Sequence, residues 1–169
     1  MREPRVAPVL AIGAHPSGSS CGGKVCAFHA TFRCRLDQLE PRFTVCSSPQ
    51  QYADLAEGSY RFRVFARDAD GNHSPAVRWR WNVDLSPPDV QIDSAPASSP
   101  DDSAAFEFSS SEPGVHFRCR LDSEPGEHCS SPKAYAELAP GPHRFVVHAI
   151  DWAGNRSPRA AHRWTVGAG

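Results

Sequence analysis

The chain has 169 residues, 40% of them hydrophobic, and a net charge of −1; this is the composition of a folded chain rather than a disordered one. So balanced a charge gives no global attraction to polyanions, and any electrostatic binding has to come from a local patch. No run approaches the roughly 20 apolar residues of a membrane helix. The longest early apolar stretch, Val6 to Ala14, is short and interrupted by Pro8, so neither a convincing signal peptide nor membrane insertion is expected in this segment.

The first expected element is a strand at Val9 to Ile12. Its warrant lies downstream, because Pro8, Ile12 and Pro16 match Pro88, Ile92 and Pro96 in a second copy of the same pattern. Between Gly18 and Thr31 the first copy is about five residues shorter than the second and carries the extra cysteines Cys21 and Cys26, which leaves its second strand undefined. The pattern then becomes unambiguous: Phe32-Arg33-Cys34-Arg35-Leu36-Asp37 recurs letter for letter as Phe117-Arg118-Cys119-Arg120-Leu121-Asp122.

Cys46 to Val83 aligns without a gap on Cys129 to Val166, with 21 of 38 positions identical. A duplication of this size is a domain. Within it Tyr60, Phe62, Val64 and Ala66 alternate with Arg61, Arg63, Phe65 and Arg67, and His143, Phe145, Val147 and Ala149 repeat the alternation. Period two over this length predicts half-buried strands. Asp68 to Asn72 and Asp151 to Asn155 then read as hairpin turns, with glycine supplying positive φ. Asp68, Asp70 and Asn72 also offer oxygen ligands for calcium, but the second copy keeps only Asp151 and Asn155, and neither matches a full calcium loop. Trp79, Trp81 and Val83 form the last strand of the first copy. Val83-Asp84-Leu85-Ser86-Pro87-Pro88-Asp89 joins the copies, its prolines restricting the backbone to extended conformations.

Short strands bounded by Gly, Pro, Asn and Ser predict an all-β chain of two tandem β-sandwich domains, residues 1–84 and 85–169. The motifs Phe32-x-Cys34-x-Leu36-Asp37, Cys46-Ser47-Ser48-Pro49, Tyr52-x-x-Leu55-x-x-Gly58, Phe62-x-Val64, Ala66-x-Asp68, Gly71-Asn72-x-Ser74-Pro75 and Trp81-x-Val83 occur in this order, and again in the second copy. Together they resemble the immunoglobulin-like, fibronectin-type-III-like repeats of large bacterial and some algal surface proteins. The resemblance covers both halves and implies seven-stranded sandwiches used as stalks, spacers or adhesive modules. Neighbouring repeats or other surface proteins are the implied partners, at an extracellular or cell-surface location. A two-repeat stalk with no anchor or secretion signal is expected to be a piece of a longer chain.

The recurring pairs Cys34/Cys46 and Cys119/Cys129 sit at short separations, as a bridge from a strand to the following segment requires. The alternative, a zinc site from Cys21, Cys26, Cys34 and Cys46, has no counterpart in the second copy; whether Cys21 and Cys26 pair with each other stays open. Disulfides imply an oxidising compartment. No nucleophile elbow, metalloprotease helix, phosphate loop or dinucleotide fingerprint is present, so neither catalysis nor a cofactor is expected. His143 stands where the first copy has Tyr60 and reads as a core or edge histidine. Asp37 and Asp122 read as strand ends.

One surface remains. In a sandwich whose third, sixth and seventh strands share a sheet, the outward positions of the first copy are Arg33, Arg35, Arg61, Arg63, Arg67, Arg78 and Arg80. Such a concentration is unfavourable unless balanced. Stacking on Phe65 and pairing with nearby carboxylates is the structural expectation. Docking of an acidic polysaccharide, gripped by arginine forks, is the functional one. Nucleic acid is not expected, since no nucleic-acid-binding fold is recognisable. Val146, His148 and Ile150 replace Arg63, Phe65 and Arg67 in the second copy, whose face is therefore expected to be less basic.

Overall fold

The computed structural model describes residues 30–167. The expected strand at Val9 to Ile12 and both Cys21 and Cys26 lie outside the described residues, and with them two of the four thiolates of the zinc alternative. The described chain is all-β, and it divides into two units between Val83 and Asp84. Asp84 falls with the second unit, where its carbonyl accepts a hydrogen bond from Asn155 Nδ2 at 3.1 Å.

In unit one, β1 (Thr31–Leu36), β2 (Thr44–Cys46), β3 (Gly58–Arg67) and β4 (Val77–Val83) form one antiparallel sheet in the order β2-β1-β3-β4. Alternation decides which face is apolar. Tyr60, Phe62 and Val64 of β3 are buried together with Cys34 and Leu36 of β1, and Tyr52, Leu55, Trp81 and Val83 pack around them. Register puts Trp79 opposite Phe62 and Val77 opposite Val64, yet both are exposed.

Unit two contains β5 (Gln91–Ser94), β6 (Ala104–Ser109), β7 (His116–Leu121), β8 (Glu127–Cys129), β9 (Lys133–Tyr135), β10 (Gly141–Ile150) and β11 (Ala160–Val166). They make two antiparallel sheets, β5-β6-β9 and β11-β10-β7-β8, which pack as a sandwich of immunoglobulin-like, fibronectin-III-like type. Phe106 from the first sheet stacks on Phe145 from the second at 4.1 Å and meets Trp164 edge-on at 5.1 Å. Phe106, Phe145 and Val147 are fully buried, and each such side chain contributes about 1.5–3 kcal/mol of transfer free energy.

The repeated turn motif is a clasp. Asp68 Oδ1 accepts the Asn72 backbone N–H at 2.8 Å while its Oδ2 accepts from Asn72 Nδ2 at 3.0 Å, and Asp151 holds Asn155 in the same way at 2.8 and 2.7 Å. Gly71 and Gly154 take φ of +94° and +84°, a conformation costly for any residue with a Cβ. Ser74 and Ser157 close the motif by accepting from Ala66 N and Ala149 N.

Both recurring cysteine pairs are closed. Cys34–Cys46 links β1 to β2 and Cys119–Cys129 links β7 to β8, each with a Cα separation of 5.8 Å. No helix among the described residues is long and apolar enough to cross a membrane.

Candidate functional site

The outward side of the unit-one sheet is built by register. Arg35 of β1 stands opposite Arg63 of β3, and Arg63 opposite Arg78 of β4. One rung further along, Arg61 faces Arg80, while on the other side Arg33 lies between Val45 and Phe65. Like charges directly opposite one another destabilise a sheet, so the counterions decide what this face does.

Asp37 is the counterion for half of it. Its Oδ1 accepts from Arg35 Nε at 2.8 Å and from Arg63 Nε and a terminal nitrogen at 2.8 and 2.7 Å; Oδ2 is 3.7 Å from Arg61. Burial pushes the Asp37 carboxyl up, but the hydrogen bonds and charges of Arg35 and Arg63 outweigh it and hold the group below the usual aspartate range. Asp37 thus follows the strand end at Leu36, as expected, and carries an electrostatic role as well. Phe43 lies under the same two arginines, 5.5 and 5.4 Å from their guanidinium carbons, and meets Phe65 edge-on at 4.9 Å. The anticipated aromatic support therefore comes chiefly from Phe43, a loop residue that no periodicity marks.

Arg67 leaves the face, bonding the Gly71 carbonyl at 3.4 Å. Arg78 and Arg80 are exposed, and no ion pair among the described residues joins either to a carboxylate. The Nε atoms of Arg33 and Arg61 are buried without a partner. Arg61 and Arg80 border an open depression with Gln38, Ser59 and Asn82. The seven expected residues therefore divide into an Asp37-neutralised group, one turn-holding arginine, and Arg33, Arg78 and Arg80 with unspent charge.

The oxygens expected to serve calcium are engaged locally: both carboxylate oxygens of Asp68 bond Asn72. In unit two a different group converges, with carboxylate oxygens of Asp84, Glu112 and Asp151 within 4.8 Å of one another. These three come from a joint, a loop and a turn, so no spacing rule reveals them. The two Asp151 oxygens already accept from Asn155.

His143 forms the feature most like catalytic machinery. Its Nδ1 is 2.8 Å from Asp122 Oδ2 and its Nε2 2.8 Å from the Ala139 carbonyl, with the ring against Trp164. Both nitrogens face acceptors, an arrangement that the doubly donating imidazolium satisfies best, and neither nitrogen is free to take a proton from a nucleophile. The Ala139 carbonyl and then Asp122 raise its pKa, against a smaller opposing effect of burial. A base whose pKa is raised by folding stabilises the fold fully below the unfolded value near 6.5, and that stability is lost as pH rises through the folded value. His143→Gln is accordingly expected to lower the urea midpoint of unit two most in mild acid, with the gap to the parent chain closing toward alkaline pH. A gap independent of pH would assign His143 a packing role alone.

Tyr52 and Tyr135, at equivalent positions, are both pushed up to about 12, by burial first and then by Glu40 and Glu127 respectively. Their phenols stay neutral at physiological pH and serve the core.

No protein-family model matches the chain, and no curated protein matches it. Among solved structures, the fibronectin(III)-like modules of Clostridium thermocellum CbhA are similar, at 16% identity over 81% of this chain and 77% of that one, with a TM-score of 0.45.

Proposed function

We propose that the chain is a non-catalytic pair of spacer or adhesive repeats of an extracellular or cell-surface protein, related in organisation to the tandem surface repeats its motifs resemble. The observation that carries this reading is the duplication of a disulfide-stapled β unit in which the recurring polar residues are spent on structure. Asp68/Asn72 and Asp151/Asn155 clasp turns, Ser74 and Ser157 hold backbone, and His143 with Asp122 locks a strand end. Four half-cystines in two local bridges fit an oxidising compartment. The test is intact mass after thiol alkylation of protein equilibrated in a glutathione buffer poised like the cytosol. Closed Cys34–Cys46 and Cys119–Cys129 bridges are expected; free labelling of all four with the fold intact would remove the extracellular reading.

A second reading has its own observation. Arg33, Arg78 and Arg80 add cationic charge to a face whose one paired carboxylate among the described residues, Asp37, already serves three other arginines. This fits docking of an acidic polysaccharide, with exposed guanidinium forks meeting sulfate or carboxylate. Arg78→Gln/Arg80→Gln is expected to elute from a sulfated resin at clearly lower salt than the parent chain at neutral pH, with the fold unchanged because both side chains are exposed. Equal elution would sink the docking role and leave the spacer role untouched.

A further inference from the structure

The outer face of unit two carries fewer strand arginines than that of unit one, but it sets histidines among them. Register sets His128 of β8 opposite Arg118 of β7, and Arg118 opposite His148 of β10. Their chain neighbours Cys119, Val147 and Ala149 point into the core, so this cross-strand rung faces outward. His116 and Arg120 flank Arg118 along β7 on the same side, and Arg144 of β10 faces Arg163 of β11 further along. No ion pair among the described residues joins Arg118, Arg159 or Arg163 to a carboxylate. Arg118 instead donates to the Gly126 carbonyl at 2.6 Å.

We propose that this face is an acid-activated docking surface for a linear polyanionic polysaccharide, centred on the His128–Arg118–His148 rung.

Histidine changes charge between about pH 5 and 8 while arginine does not, so acidification adds cations to a face already lined with arginine. The charged groups facing His148 are Arg118 from β7 and Arg156 and Arg159 from the β10–β11 connection, with Val146 and Ile150 beside it on its own strand. Burial first, and then those three guanidinium groups, hold its pKa below the ordinary histidine value. Part of what disfavours the imidazolium is thus repulsion that a bound sulfate or carboxylate would relieve. Binding and protonation then favour each other reciprocally. Strands lie about 4.8 Å apart, so the rung presents its cations side by side, as a chain of anionic groups requires and a single small ion does not.

The occupant follows from what the face lacks. None of its outward strand positions is Phe, Tyr or Trp, which leaves nucleic-acid bases only histidine and arginine planes to stack on. An acidic sugar polymer can be held by charge alone. The proposal concerns other residues and another unit than the Arg78/Arg80 face, and it goes beyond that reading in its pH dependence.

The test uses the full chain and immobilised dextran sulfate, whose charge is constant over the range, in about 0.15 M salt. Binding is expected to be about tenfold tighter at ~pH 5.5 than at ~pH 7.5, the order that two added charge-assisted contacts supply. His128→Gln/His148→Gln should leave the neutral-pH affinity near that of the parent and remove most of the acid increment, His116 at the edge of the face supplying the remainder. Arg78→Gln/Arg80→Gln should weaken binding equally at both pH values and leave the ratio unchanged, so the two surfaces fail or succeed separately. A pH ratio near one, or a ratio that survives the double histidine substitution, overturns the proposal. Should that variant fold poorly, calorimetry of the parent chain in buffers of different ionisation enthalpy decides: net proton uptake on binding supports the proposal and zero uptake overturns it. Tighter binding of a single-stranded DNA than of dextran sulfate or polygalacturonate would overturn the choice of polysaccharide.

Discussion

Phe145→Ala is expected to cost unit two about 3–5 kcal/mol, enough to unfold a domain near the lower end of natural stability. Phe145 is fully buried. It projects from β10 into rings supplied by the opposing sheet: Phe106 at 4.1 Å, Phe108 at 5.9 Å and Tyr135 at 6.2 Å. Deleting it removes transfer free energy and leaves a cavity between two hydrogen-bonded sheets that cannot easily close. The aligned residue Phe62 is also buried, and among the described residues its ring meets Tyr52 at 6.1 Å, so Phe62→Ala is expected to destabilise unit one as well. Urea unfolding read by peptide-resolved amide exchange separates the units. A loss below about 1 kcal/mol at Phe145 would mean that the site collapses freely and the aromatic stack is not the keystone of the sandwich.

What the sequence revealed and what it hid divide along a physical line. β3 and β10 are ten residues each and carry enough period-two alternation to be read directly, and the recurring Asp-x-x-Gly-Asn turn fixes where each ends. β2, β8 and β9 are three residues each, too short for any periodicity; the first two were reachable only through the cysteine spacing. The arginine face was legible because alternation along a strand assigns sides. Its electrostatics were not, since Asp37 and Phe43 reach it from a strand end and a loop, and only coordinates show that Arg67 bends away to Gly71. The histidine rung of unit two was hidden for a related reason. His128, Arg118 and His148 come from three strands, and only their register makes them neighbours; alignment with unit one compared β10 with β3 and saw three arginine-face positions lose their pattern.

The two units also solve the same problem with different chemistry. Asp37 and Asp122 are equivalent, yet Asp37 gathers arginines on the outer face while Asp122, at φ 47°, turns to His143 and the Arg144 backbone N–H. The exchange of Tyr60 for His143 accounts for this. Tyr60 reaches the Ala56 carbonyl by its hydroxyl at 2.9 Å, whereas a histidine at that place reaches the equivalent Ala139 carbonyl through Nε2 and leaves Nδ1 needing an acceptor, which Asp122 supplies. Arg120 thereby loses the counterion that Arg35 has, and the outer face of unit two keeps more unspent charge than its arginine count alone conveys.

The second large effect is expected from Cys119→Ala/Cys129→Ala, which should destabilise unit two by about 3 kcal/mol in the chain-entropy description of a short loop. The bridge spans 10 residues and binds β8 to β7, whose ladder has three register pairs. So short an edge strand gains little from its own hydrogen bonds. Its amides, Glu127 to Cys129, should therefore exchange well before those of β10 once the bridge is gone, and His128 should lose its fixed place opposite Arg118. The variant is thus expected to lose the acid increment in dextran sulfate binding along with stability, while Cys34→Ala/Cys46→Ala, which frees β2 in unit one, should lower stability and leave that increment in place. If β8 amides stay protected without the bridge, the ladder alone holds the strand. The disulfide would then act only through the unfolded chain, and the docking surface would survive reduction.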